Sequence, residues 1–284
     1  MSRIVYVNGR WVPEEQAQVS VFDRGFLFAD AIYEVTAVID RKLIDYAGHL
    51  ARLKRSLEAL SIPLPFTDDE LLGLHREIVA RNELESGLIY LQISRGAADR
   101  DFLFAADMAP SIVMFTQKKN ILENPKWKTG LTVKTMPEGR WMNRQIKTVQ
   151  LLYSSMMKME AERAGADDAF LVEDGYITEA TSSNVHIVTK DRRLVTRHLS
   201  NALLHGITRA SVLSLAKEVA LQVEERAFTV LEACDAAEVF ITSASAFVMP
   251  VVRVDDAVIA DGRPGPISQK LLEIYIKDRM ASAI

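Results

Sequence analysis

Cysteine is almost missing from this chain of 284 residues: Cys234 stands alone. A single thiol excludes an intrachain disulfide and fits a reducing compartment, so a cytoplasmic protein is expected. Within LEACDAAE that thiol reads as an ordinary helix position rather than a nucleophile. Long apolar runs are lacking too. No segment offers about 18 uncharged apolar residues, and MSRIVYVNGR has no apolar core after its arginine, so neither a membrane span nor secretion is expected. Basic blocks are absent, and the cluster KWKTGLTVK from Lys126 is too thin to neutralise many phosphates, which sets nucleic acid aside. The five histidines, at 49, 75, 186, 198 and 205, show neither H-x-x-x-H nor H-E-x-x-H spacing, so metal catalysis has no support. There is no G-x-x-x-x-G-K-[ST] phosphate loop, no G-x-G-x-x-G dinucleotide turn and no G-x-S-x-G nucleophile elbow. Internal repeats and low-complexity segments are absent as well.

What is present is an ordinary globular composition, 49% hydrophobic and 25% charged with a net charge of -4. The length suits one large domain or two of ordinary size. RIVYV and RWVP flank Asn8-Gly9, a dipeptide that tolerates the positive φ of a tight hairpin, and YEVTAVI and KLIDY flank Asp40-Arg41 in the same way. In HLARLKRSLEAL, leucines 50, 53, 57 and 60 share one helical face, and a second helix is expected from about Asp68 to Asn82. Strands GLIYLQISR and PSIVMFTQ follow. Polar, proline-containing ILENPKWKTG then interrupts the pattern. This divides the chain into an N-terminal domain (1–119), a linker (120–128) and a C-terminal domain (129–284). The latter reads as strand LTVKTM, a helix to about Ala164, strands FLVED, YITEA and NVHIV, a helix after ITRA, strands EVFIT and MPVVRV, and a last helix ISQKLLEIYIKDR. Two mixed α/β halves result.

The chemistry gathers around Lys147, set in RQIKTVQLL at an expected strand-to-helix turn. A nucleophilic lysine must shed its proton, and apolar surroundings favour the neutral amine, which suits a Schiff base. Pyridoxal 5'-phosphate (PLP) is commonly held so, and needs an anion for its ring nitrogen and a cradle for its phosphate. Glu179 ends the apolar strand YITEA and offers the carboxylate. Ile207 and Thr208 open a helix, whose N-terminal N–H groups attract anions; Thr242 in FITSAS and the forked guanidinium of Arg52 add donors. Each feature also has a plain reading: Lys147 as an exposed helix-start residue, Glu179 as a strand end, Thr208 as an N-cap, and Arg52 as the wet face of its helix. Lys158 is a rival lysine, read more simply as an ion-pair partner of Glu162.

Taken in order, HLARL, RQIKTVQLL, YITEATSSN, GITR and VFITSAS closely resemble the fold-type IV PLP enzymes, which include the D-amino-acid aminotransferases, branched-chain aminotransferases and aminodeoxychorismate lyases. The resemblance spans nearly the whole chain and is strongest to the D-amino-acid branch, through AIYEVTAVIDRKL and the glutamate followed by S-S-N. It implies a two-domain α+β fold, with a smaller N-terminal α/β domain and a larger C-terminal mixed-sheet domain, a cofactor in the cleft between them, and a homodimer. It implies that Lys147 is the Schiff-base lysine and proton shuttle, that Glu179 partners the pyridine nitrogen, and that Arg52, Ile207, Thr208 and Thr242 hold the phosphate. Leu204 would pack on the ring, with Ser182, Ser183 and Asn184 as a polar wall; Tyr33 and Arg100 would take the substrate carboxylate. One loop departs from the pattern: in RGAADRDFLF, Phe102 stands where the D-amino-acid branch has a histidine, and an apolar pocket wall is one reading of it. The expected activity is ping-pong transamination between a D-amino acid, such as D-alanine or D-glutamate, and a 2-oxo acid. The alternatives are a branched-chain L-amino-acid aminotransferase, an enzyme of the aminodeoxychorismate lyase type, and a non-catalytic PLP carrier.

Overall fold

The computed structural model describes residues 2–284. They form two compact units, one made of the residues up to Ile121 with Ile146–Gln150 and Ser282–Ile284, the other of Leu122–Gln145 and Leu151–Ala281. The stretch expected as a linker, 120–128, spans the first crossing.

The first unit begins with strands β1 (Ile4–Val7) and β2 (Arg10–Pro13), joined through Asn8 (φ 46°) and Gly9 (φ 84°). Both turn residues are left-handed, as a two-residue hairpin matching the strand twist requires. Helix α1 (Arg24–Phe28) leads into β3 (Ala31–Ile39), which returns as β4 (Lys42–Leu43) across Asp40 and Arg41, again both at positive φ. Helices α2 (Tyr46–Ala59) and α3 (Asp68–Arg81) and strands β5 (Ser86–Ser94) and β6 (Ser111–Lys118) complete it. Thr67 and Glu70 form a reciprocal capping box that starts α3. The six strands make one antiparallel sheet in the order β2-β1-β6-β5-β3-β4. Leu53 and Leu57 of α2 and Leu71 and Ile78 of α3 are buried in a core with Ile32, Ile89, Leu91 and Met114 from the sheet. Arg52 is buried as well. The plain reading of Arg52 as a wet helix face is therefore corrected: position 52 lies next to Leu53 and one turn before Ser56, on the side of α2 that the sheet covers.

The second unit holds α4 (Lys126–Thr129), β7 (Leu131–Pro137), α5 (Leu152–Arg163), β8 (Asp168–Glu173), β9 (Tyr176–Ala180), β10 (Asn184–Val188) and β11 (Arg193–Thr196). Then come α6 (Ile207–Leu215), β12 (Gln222–Glu225), α7 (Val230–Asp235), β13 (Glu238–Ser243), β14 (Phe247–Val254), β15 (Ala257–Val258) and α8 (Pro266–Ala281). Its nine-stranded sheet runs β12-β11-β10-β13-β14-β7-β8-β9, with β15 on β14. Pairs β11·β12, β14·β7 and β7·β8 are parallel and the rest antiparallel, so the sheet is mixed. β10 is buried at every position and β13 at all but its last, which explains why NVHIV and EVFIT read as continuous apolar runs rather than alternating strands. The short elements α1, α7, β11 and β12 have too few residues to show a period.

Candidate active site

Lys147 lies in the connection between β7 and α5, in a tight turn closed by Thr148 N donating to Ile146 O at 2.8 Å. This turn runs along the first half of β3: Tyr33 N donates to Lys147 O at 3.0 Å, Val149 N donates to Ala31 O at 3.1 Å, and Ile32 bridges Thr148. β4 pairs only with the far end of β3, at Val38 and Ile39, so the near end is an open edge that 146–149, with β-branched Thr148 and Val149, can occupy. Helix α5 starts five residues later, at Leu152. The Lys147 amide also donates to Ser56 Oγ of α2 at 3.3 Å, so its main chain is held from two elements. The side chain is half-buried, and Nζ lies 4.2 Å from the centre of the Tyr33 ring. Tyr33 in turn stacks on Tyr90 at 5.5 Å.

Arg52 is engaged within the first unit. Its Nε and Nη2 donate to Glu34 Oε1 and Oε2, each at 2.7 Å, and His49 Nδ1 lies 2.8 Å from Glu34 Oε2. Burial by itself would raise the Glu34 carboxyl, but the Arg52 charge and hydrogen bonds, with those of His49, outweigh it and hold the carboxyl well below the usual range. Glu34 is a partner that sequence reading missed, since T, V and E alternate in AIYEVTAVI without revealing which side is buried. Arg100 is exposed and lies over the rings of Phe28 and Phe102, 5.5 and 5.8 Å from their centres. Phe102 meets Phe28 edge-on at 5.7 Å, yet 77% of it is exposed.

In the second unit Glu179 is buried at the end of β9, with each oxygen bonded. Arg140 Nη1 donates to Oε1 at 2.5 Å; Asn184 Nδ2 and the Leu204 amide donate to Oε2 at 3.1 and 3.2 Å. Burial pushes the Glu179 carboxyl up; Arg140 and the Leu204 N–H oppose the shift, and Glu138 reinforces it. A carboxylate so placed favours a cation beside it. Asn184 also donates to Leu204 O at 2.9 Å, which locks Leu204 next to Glu179. Ser183 is buried, its carbonyl accepting from Ala180 N, while Ser182 is exposed.

Helix α6 begins at Ile207 with Gly206 as its N-cap, and no side chain caps it. Thr208 is therefore the second helical residue rather than the cap, and it is buried. An uncapped helix start leaves N–H groups directed outward at the positive end of the dipole, the chemistry that binds phosphate. Gly206 is fitted closely here, because a Cβ on it would come within 2.0 Å of Asn184 Oδ1. Thr242 pairs with Asn184 across β13 and β10, and its Oγ1 lies 3.0 Å from His186 Nε2. His186 is stacked flat on Phe240, and burial, with the charge of Arg209, drives it down to about 3, so it is neutral at ordinary pH. Lys158 pairs with Asp168 at 3.1 Å instead of Glu162.

The second unit thus sets a buried carboxylate, an anion-seeking helix start and threonine hydroxyls among residues of adjacent strands, and this donor set fits the ring nitrogen and phosphate of PLP. The family model for class IV amino-transferases matches residues 31–254. The chain belongs to the class IV aminotransferase family. Class IV aminotransferases use pyridoxal phosphate, and this chain is a PLP-dependent aminotransferase. A D-alanine aminotransferase of Bacillus licheniformis is 37% identical over 267 residues, 94% of this chain and 94% of that one. The D-alanine aminotransferase of Staphylococcus aureus strain MSSA476 is 34% identical and covers 96% of both. Among solved structures, a T.th. branched-chain amino acid aminotransferase with pyridoxamine 5'-phosphate aligns with a TM-score of 0.92 at 26% identity, covering 99% of this chain and 95% of that one. The Escherichia coli branched-chain enzyme shares the fold, with a TM-score of 0.90 over 98% of this chain and 95% of its own at 23% identity. In this class IV aminotransferase, Arg140 and Glu138 are polar residues next to Glu179 that sequence reading did not single out. Nothing in PEGRW distinguishes a buried charge from a loop charge before the strands are assembled.

Proposed function

We propose that this enzyme transfers the amino group of a D-amino acid, such as D-alanine or D-glutamate, to a 2-oxo acid in a ping-pong cycle. One observation carries the reading: relatives named D-alanine aminotransferase match at 32–37% identity over at least 94% of both chains. Pyridoxal phosphate, when bound, draws electrons from the substrate α-carbon and carries the amino group between the two half-reactions. Lys147 is assigned the covalent attachment of that group and, once released, proton transfer at the substrate α-carbon through Nζ. The main-chain anchors of Lys147 and the Tyr33 ring against Nζ support this role by restricting where the amine can go. Glu179 is assigned the pyridine nitrogen. The first turn of α6 with Ile207 and Thr208, the Thr242 hydroxyl and Arg52 are assigned the phosphate, with Glu34 fixing the Arg52 fork. Leu204 packs on the ring beside the polar wall of Ser182, Ser183 and Asn184. Tyr33 and Arg100 take the substrate carboxylate, and Phe102 supplies an apolar wall in place of the histidine of the D-amino-acid branch.

We further propose a cytoplasmic homodimer. The loops before α1 and after β5 are joined by Ala98 N donating to Phe22 O, and α1 and the loop after β5 expose Phe26, Phe102 and Leu103 at 72, 77 and 82%. An apolar surface of this kind is suited to burial against a second copy. A screen of D- and L-amino acids against pyruvate and 2-oxoglutarate tests the substrate assignment. Fast exchange from D-alanine supports it. Preference for L-leucine or L-valine would replace it by the branched-chain reading, which the names of the similar solved structures match, and slow exchange from every donor would point to a lyase. Loss of both the yellow of bound cofactor and the activity in Lys147→Ala tests the role of the lysine, and retention of both would overturn the cofactor assignment.

A further inference from the structure

Arg140 follows β7 and is nearly enclosed, with 11% of its side chain exposed. Its guanidinium is divided between two carboxylates: Nε and Nη2 donate to Glu138 Oε1 and Oε2 at 3.0 and 2.5 Å, while Nη1 donates to Glu179. Glu138 is fully enclosed, accepts a further bond from Thr178 Oγ1 at 2.8 Å, and lies 3.7 Å from Arg144 Nε. Arg144 then forks onto Glu173, at the exposed end of the chain of charges, where Arg197 adds its field. Along the direct ion pairs, three carboxylates meet two guanidinium groups. Buried charge is costly when it is unmatched, so a network closed by its own chain would be expected to balance. Its enclosed members, Glu138 and Glu179 with Arg140 and Arg144, do balance, and the carboxylate in excess is Glu173 at the exposed end; but Arg140 is divided between two carboxylates, so Glu179, at the inner end, holds a single N–H of it.

We propose that Arg140 is a positioning residue that keeps Glu179 an anion, while Glu138, by holding the other side of the same guanidinium, prevents Arg140 from neutralising Glu179 alone and so leaves Glu179 able to pair with a protonated pyridine nitrogen as well. The inference rests on the assignment of Glu179 to that nitrogen. The geometry carries it in two ways. A carboxylate has about four acceptor positions; Arg140 takes one on Oε1, and Asn184 and Leu204 take two on Oε2, so Oε1 has room for one more donor. Without Arg140, two enclosed carboxylates would face each other across the space it fills, and like charges in such a place draw a proton onto one of them. That proton would come from the shared Glu179–pyridine position and leave the ring nitrogen neutral, a poorer electron sink. Arg140 thus acts through Glu179 and does not touch the reacting carbon.

The test uses holoenzyme loaded with PLP labelled with nitrogen-15 in the ring, whose shift separates pyridinium from pyridine. Arg140→Met is expected to move the resonance toward the neutral pyridine value and to weaken cofactor affinity of the apoenzyme at least tenfold; Arg140→Lys is expected to recover most of both. Glu138→Gln, which leaves Glu179 the whole guanidinium, is expected to keep the pyridinium shift while weakening affinity, and it provides a second reading should Arg140→Met fail to fold. A pyridinium shift and affinity unchanged in folded Arg140→Met, with a lower melting temperature alone, would reduce Arg140 to a structural residue and overturn the proposal. Glu179→Gln separates the two failures. If it too leaves the pyridinium resonance in place, the assignment of Glu179 is wrong; if it moves the resonance and Arg140→Met does not, the role of Arg140 alone is refuted.

Discussion

Replacing His75 with leucine isolates one buried proton site in the first unit. His75 lies on the sheet side of α3, donates from Nδ1 to Leu71 O at 2.8 Å, packs edge-on against the Tyr46 ring at 5.0 Å, and lines a small pocket with Glu34, Tyr46 and His49. Burial lowers it from 6.5 to about 4, with His49 adding to the shift and the Leu71 carbonyl and Glu34 opposing it. The folded chain therefore keeps His75 neutral down to about pH 4, while the unfolded chain takes up a proton below 6.5. Its contribution is present above pH 6.5 and is lost as pH falls toward 4, at up to 1.36 kcal/mol per pH unit. Between pH 7.5 and 5 the loss comes to about 2 kcal/mol. Urea unfolding followed by circular dichroism at both pH values, in wild type and in His75→Leu, measures it. The leucine variant loses the bond to Leu71 at every pH, so the quantity that matters is the change with pH. That change should be smaller in His75→Leu by about 2 kcal/mol, and equal changes in the two proteins would refute the argument.

Arg52→Met should destabilise the first unit by about 3–5 kcal/mol, because it leaves Glu34 buried with its main cation gone. Adding Glu34→Leu should return most of that stability, and a double variant as unstable as the single one would show that the pair is not what holds this region. Gly206→Ala places a methyl group against Asn184 Oδ1, which is fixed through bonds to Glu179 and Leu204, so an overpacking cost of about 1–3 kcal/mol and weaker cofactor binding are expected. Unchanged melting temperature and affinity would mean that Asn184 moves freely. Thr67→Ala removes the hydroxyl of the α3 capping box and should cost about 1 kcal/mol by thermal unfolding, with no effect on cofactor binding.

Much of the architecture follows from local chemistry. Asn8-Gly9 announces its hairpin because few residues accept left-handed φ at two consecutive positions, while the hairpin at Asp40-Arg41 shows through the strands on either side. Helices α2 and α3 follow from leucine spacing and from a capping threonine, both of which act within a few residues. The Lys147 motif, the Glu179 strand and the opening of α6 are also contiguous, so their chemistry could be read as words in the sequence. The surroundings of those words could not. The turn that carries Lys147 lies along the edge of β3, and an open sheet edge is a property of distant strands. Arg52 is buried on Glu34, and Glu179 is held by Arg140 and Asn184, because the packing of helix, loop and strand brings side chains together across 18, 39 and 5 positions of sequence. Local preference acts over a turn of helix or a pair of strands. The balance of buried charge is set by the whole packed unit, and so the ionic state of Glu179 was decided by tertiary structure alone.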